Sequence, residues 1–148
     1  MNIPDLSQNL KSLLLKRYEW YERELLTSLE KQGDVNLTSA QSRALAVLNG
    51  QSSSISALAR SLNISRQAAH KTVARLIDLN WVQLEDSEKG NEKIINFTEH
   101  GQKMRAKTKE HMIQVENDIA QAIGAERYQM LVEILKSDWS SLQNQGQP

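Results

Sequence analysis

The spacing of apolar residues changes period once along this chain and then changes back, and that interruption limits the possible folds more than any other feature. From Leu10 to Leu79 apolar residues recur at steps of three and four. From Trp81 to Phe97 they alternate with polar ones, Val82 and Leu84 before a Gly90-Asn91 pair and Ile95 and Phe97 after it. Beyond Thr98 the helical step returns. Steps of three and four line one stripe of an α-helix, whereas alternation lines one face of a strand. The pattern predicts a mainly α chain with one two-stranded hairpin at about 81–97 and a polar tip.

Helix boundaries follow from caps and breakers. Leu10, Leu14, Tyr18, Tyr21, Leu25 and Leu29 form the first stripe, broken by Gly33, Asp34 and Asn36. Thr38 with Gln41 makes a capping box for a second helix that buries Leu45 and Leu48 and stops at Asn49-Gly50. The Ser52–Ser54 run caps a short helix with Ile55, Leu58, Ala59 and Leu62 inward. Asn63 tolerates the left-handed conformation of a tight turn, and Ser65 caps the next helix, through Leu79. Thr98 caps a long helix to about Ile123, Gly124 breaks it, and a last helix runs from about Glu126 to Leu142 before the polar Gln143–Pro148 tail.

Composition removes several function classes. The chain has 148 residues, which fits one domain, and no cysteine, so disulfides, thiol redox chemistry and Cys-bearing zinc sites are excluded. No window approaches 18 consecutive apolar residues, and no basic stretch leads into an apolar one at the start, so a cytoplasmic protein without a membrane partner is expected. A nucleophile-and-base set, a phosphate loop and a metal cluster are all missing, and no enzyme, cofactor or metal is expected. His100 and His111 lie eleven residues apart on one helix, roughly 16 Å in rise, too far to share an ion.

Charge is balanced overall at 18 basic and 18 acidic residues but unevenly spread. Residues 55–80 are locally +3 and residues 114–148 are −3. A basic middle suggests an anionic partner. Residues 55–79 form two helices across a short turn, with Ala59 and Ala69 where they must approach, and the hairpin that follows makes a wing. The far side of the second helix shows Arg66, Gln67, His70 and Lys71. An N-terminus with free N–H groups, the Ser65 hydroxyl and these side chains suits phosphates and base edges of double-stranded DNA. Gln67 and Lys71 are expected at bases, Ser65 and Arg66 at phosphates, with His70 suited to either and Arg75 and Lys89 as further contacts.

These segments resemble the multiple-antibiotic-resistance regulator (MarR) family of dimeric transcription factors. The likeness rests on Leu37-Thr38-x-x-Gln41 with Leu45 and Leu48, on Leu58-Ala59 through Ser65-Arg66 to Leu76, on Leu79-x-Trp81-Val82 and on Phe97-Thr98-x-x-Gly101. It implies a winged helix-turn-helix lobe at 37–98, dimerisation helices at 1–36 and 99–148, palindromic operators, and release of DNA by a small, often aromatic, ligand. The family wing carries Arg near its tip; here Gly90 and Asn91 stand there and 81–97 is net −2, which argues against minor-groove insertion. An interaction module that has lost DNA binding is the rival reading.

Two further expectations complete the picture. Leu6, Leu10 and Leu14 at one end, and Leu131, Ile134, Leu135 and Trp139 at the other, are more apolar stripe than one lobe covers, so a two-fold homodimer is expected. Tyr18, Trp20 and Tyr21 on the first helix and His111 on the fifth are candidates to line an effector pocket, although aromatic residues at helical spacing are commonly plain packing.

Overall fold

The computed structural model describes residues 1–33 and 36–140. Its elements are α1 (Leu10–Lys31), α2 (Ser39–Leu48), β1 (Ser53–Ser54), α3 (Ile55–Leu62), α4 (Arg66–Asp78), β2 (Val82–Asp86), β3 (Lys93–Phe97), α5 (Glu99–Ile123) and α6 (Ala125–Lys136). The chain divides into two compact units, 1–112 and 113–148.

In the first unit the expected caps form. Thr38 and Gln41 close a reciprocal capping box, and Ser54 and Ser65 accept hydrogen bonds from Ala57 and Ala68 at 3.1 and 3.0 Å. Asn49 and Asn63 end α2 and α3 with φ of 46° and 53°, the left-handed region that Asn tolerates better than most side chains. The core lies among α2, α3, α4 and the sheet, where Leu58, Val73, Leu76, Val82 and Ile95 are almost wholly buried. Ala59 and Ala69 sit within it, so α3 and α4 approach closely without a bulky side chain between them. In α1 only Leu25 and Leu29 are buried; Leu10, Leu14 and Tyr18 on the same stripe are exposed.

The hairpin pairs β2 with β3 antiparallel, from Val82 opposite Phe97 to Asp86 opposite Lys93. A third strand adds to it: Ser53 and Ser54 pair with Ile95 and Ile94, giving the order β1-β3-β2. The Ser run thus both caps α3 and closes the inner edge of the wing. The wing joins α5 through Thr98, whose hydroxyl donates to the Asn80 carbonyl at 2.5 Å and accepts from the Gly101 N–H at 2.9 Å.

In the second unit, Gly124 (φ 94°) separates the end of α5 from α6, and the Tyr128 hydroxyl donates to Glu116 at 3.1 Å. No residue of α6 is buried. The last helix is shorter than its sequence pattern: it stops at Lys136, where Ser137 turns extended and its hydroxyl donates to the Ile134 carbonyl at 2.6 Å. Asp34, the expected helical residues 141–142 and the Gln143–Pro148 tail lie outside the described residues. Among the described residues, no helix is long and apolar enough to cross a membrane.

Candidate nucleic-acid interface

The sequence builds α4 so that one side is spoken for and the other is free. Ala69, Val73 and Leu76 enter the core. At about 100° of turn per residue, Arg66, His70, Gln67 and Lys71 span about 140° of arc, from Arg66 about 20° beside Val73 round to Lys71 opposite the core face. All four are exposed, as are Ser65, Arg75 and Lys89. Ser65 accepts the Ala68 N–H on one of its two oxygen lone pairs, which leaves its hydroxyl proton to donate outward. Arg66 and Lys71 have no carboxylate partner among the described residues. Arg75 differs, with an exposed ion pair to Asp78 at 3.6 Å. Such a pair is worth little in water and yields readily to phosphate.

A concavity of about 430 Å³ lies beside the turn, lined by Ser56, Arg60, Asn63, Ile64 and Arg66 among others. Arg60 was not among the sequence candidates. It stands on the first helix of the pair, and only the three-residue turn that folds α3 against α4 sets it beside Arg66. The spacing of Arg60 and Asn63 alone carries no such signal.

The wing presents a different charge. Lys93 is held by Asp86 at 2.5 Å, Glu85 accepts from Gln83 and Asn96, and Ser52 hydrogen-bonds Asn96. Lys89, the other cation of the hairpin, is exposed near the tip between Glu88 and Gly90. The side chains of the sheet face are thus tied to one another, and the carboxylates outnumber the cations.

The four ligand candidates differ in exposure, and none of them lines a described cavity. Tyr18 is exposed and its hydroxyl is 3.5 Å from Glu22; burial, then the Glu22 charge, pushes its pKa above the ordinary tyrosine value. Trp20 and Tyr21 are half-buried on α1. His111 is buried and its Nδ1 lies 2.6 Å from the Ser28 hydroxyl, a contact that fixes α5 to α1. None of the four lines the cavity of about 560 Å³ that opens between α1, α2 and the first half of α5. Its walls are Leu25, Leu29, Leu45, Trp81, Ala106 and Met112, with Arg105 and Lys109 at its polar side. These residues come from four separate stretches of chain, so no local pattern marks them. Among the described residues, no group of three or more His, Asp or Glu is placed to hold a metal ion.

Comparison with known proteins gives the same architecture. Residues 35–90 match the model of the MarR family. The transcriptional regulator PA4135 is similar at 25% identity with a TM-score of 0.70, over 95% of this chain and 98% of that one. The reduced form of MarR from E. coli is similar at 19% identity and a TM-score of 0.74, over 92% and 96%. The transcriptional repressor CouR, solved bound to a 23-mer DNA duplex, is similar at 20% identity and a TM-score of 0.71, over 91% and 95%. No curated protein sequence matches the chain.

Proposed function

From a chain whose residues 35–90 match the model of the MarR family, we propose a cytoplasmic, sequence-specific DNA-binding regulator of that family that represses transcription as a homodimer on palindromic operators. The observation that carries this reading is the free face of α4: unpaired cations and amide or imidazole groups on one arc, beside a helix N-terminus. In the major groove such a face gives Gln67 and Lys71 access to base edges, with Ser65 and Arg66 on phosphates and His70 on either. Arg60 adds a second cation at the turn, and Arg75 and Lys89 reach the backbone on either side. The rival interaction module would have its α4 cations paired with acidic neighbours, and the free state of Arg66 and Lys71 weighs against it. CouR, similar in fold, is solved bound to a 23-mer DNA duplex, which supports DNA as the partner.

Residues 37–98 then serve as the DNA-binding lobe, and 1–36 with 99–148 as dimerisation helices. Exposed Leu10 and Leu14 on α1, and Leu131, Ile134 and Leu135 on α6, support this division, since obligate dimers bury such side chains. A small aromatic ligand acts as effector, with Tyr18, Trp20, Tyr21 and His111 responding around the α1–α5 contact. The deciding experiment is to sequence genomic fragments retained by the purified protein at a stated salt concentration. Recovery of one inverted repeat supports the reading. Retention of random fragments would remove sequence specificity, and retention of none at about 50 mM salt would overturn the assignment altogether.

A further inference from the structure

We propose that Arg105 is a positioning residue for DNA docking: it fastens α5 to the end of α2 and to the foot of β3 at once, and so fixes the direction in which the long helix leaves the winged lobe. The inference rests on the homodimer reading above, in which α5 joins each lobe to the dimerisation helices.

The first turns of α5 are held along one stripe. Gly101 lies against the Trp81 backbone, and Met104 is buried in the core. A helix fixed along one stripe can still roll about it. Arg105 stands about 100° round the helix from Met104 and takes a separate hold on two other elements. Its guanidinium carbon lies 5.3 Å from the centre of the ring of Phe97, the last residue of β3. Its Nη2 donates to Oδ1 of Asn49, the left-handed cap of α2, at 3.4 Å. Gly50 presents bare backbone to the same group, since a β-carbon there would lie 3.0 Å from the Arg105 Nε and 3.1 Å from its Cζ.

The two contacts suit a guanidinium and not an ammonium. Its flat face covers an aromatic ring while the N–H groups at its edge stay free to donate. Arg105 has no carboxylate partner among the described residues, so nothing draws the fork away from Phe97 and Asn49. In a homodimer the direction of α5 sets the distance and angle between the two α4 helices, and half-sites one DNA turn apart tolerate little error in either. Loss of this clasp therefore widens the range of half-site spacings the dimer accepts. The contacts of α4 with its own half-site stay as they were.

The test uses the full chain and duplexes built on the inverted repeat recovered from genomic fragments: native spacing, one inserted base pair, and a single half-site. In the original protein the inserted base pair should lower affinity at least about tenfold. In Arg105→Lys, and in Phe97→Leu, it should lower affinity no more than about threefold, with single-half-site affinity within about twofold of the original. Phe97→Tyr retains the ring face and should keep the tenfold loss. A weakened fold would instead reduce binding to all three duplexes together. That result, or a tenfold loss in Arg105→Lys, would overturn the proposal. A second arm needs no DNA. The Gln51 N–H, which donates to the Leu48 carbonyl at 2.8 Å, reports on the end of α2 by hydrogen exchange. Phe97→Leu should speed its exchange at least about threefold when Arg105 is present and leave it unchanged in the Arg105→Lys background. Equal acceleration in both backgrounds would show that Arg105 does not connect the two elements. Recovery of no inverted repeat would sink the regulatory reading, and the exchange cycle would still decide the clasp.

Discussion

A β-carbon on Gly101 would sit 2.0 Å from the carbonyl oxygen of Trp81, so at this point two backbones are in contact and any side chain must push them apart. The same carbonyl accepts the Thr98 N–H at 3.1 Å, and Trp81 itself is held by the Leu76 carbonyl at 2.9 Å. Gly101 therefore sets the distance between the start of α5 and the link from α4 to the β2–β3 hairpin. We expect Gly101→Ala to cost about 3 kcal/mol, near the upper end for overpacking, because the neighbour is backbone and cannot rotate away. Thermal unfolding should show it as a fall of roughly 10 °C in Tm; a change under about 2 °C would mean that the contact relaxes freely. On α4, Lys71→Ala should lose about 1–3 kcal/mol of discrimination at one operator base pair, whereas Arg66→Ala should weaken binding evenly across sequences and reduce its salt dependence. Equal operator affinity and salt slope in both variants would move the readout elsewhere. The sequence pattern marked Thr98, Gly101 and the α4 face because each belongs to a short-range spacing. It did not mark Arg60 or Arg105, whose neighbours come from distant parts of the chain.

At the scale of elements, the hairpin shows both what local pattern conveys and where it stops. Its alternation and its Gly90 turn (φ 79°) are local properties and were legible as a wing. The pairing of Ser53 and Ser54 with β3 was not, since two serines have neither strand propensity nor alternation and pair only because α3 brings them there. The end of α6 departs from its apolar pattern for a related reason: Trp139 extends the apolar step, yet Ser137 and Asp138 offer the backbone local hydrogen bonds that compete with a further turn. Within the wing, Glu88 and Glu92 flank Lys89 without neutralising partners among the described residues, and carboxylates near phosphate raise the cost of docking. Glu88→Gln with Glu92→Gln should therefore tighten operator binding, by roughly 0.5–1 kcal/mol at low salt and less at 0.5 M, where screening is short-ranged. Unaltered or weaker binding at low salt would place the wing away from DNA. Lys89→Ala in the same background should then remove part of the gain.

At the scale of the whole molecule, the proposed homodimer accounts for apolar side chains that a single copy leaves in water. Leu10, Leu14 and Leu15 of α1 and Met130, Leu131, Ile134 and Leu135 of α6 are all exposed, and Met130 is 60% exposed. Scattered apolar residues on a surface are ordinary, but several exposed on each of two helices fit the proposed homodimer. A two-fold pairing buries the same faces from both copies and relates the two recognition helices by the same axis. Folding and association are then one event, so Tm should rise with protein concentration. Ile134→Glu should give a monomer, or a dimer that dissociates on dilution, since a carboxylate in an apolar interface keeps its water only by separating the chains. The consequence for DNA is geometric. Two recognition helices on a fixed dimer reach half-sites about one helical turn apart, roughly 34–36 Å, on one side of the duplex. Insertion of about five base pairs between half-sites rotates the second one to the opposite side and should reduce affinity to that of a single half-site, while about ten should restore part of it. The Ile134→Glu protein should bind all three operators equally weakly. Full affinity for the half-turn operator would show that the two α4 helices act independently, and spacing-dependent binding by the Ile134→Glu variant would show that something other than the apolar faces of α1 and α6 couples them.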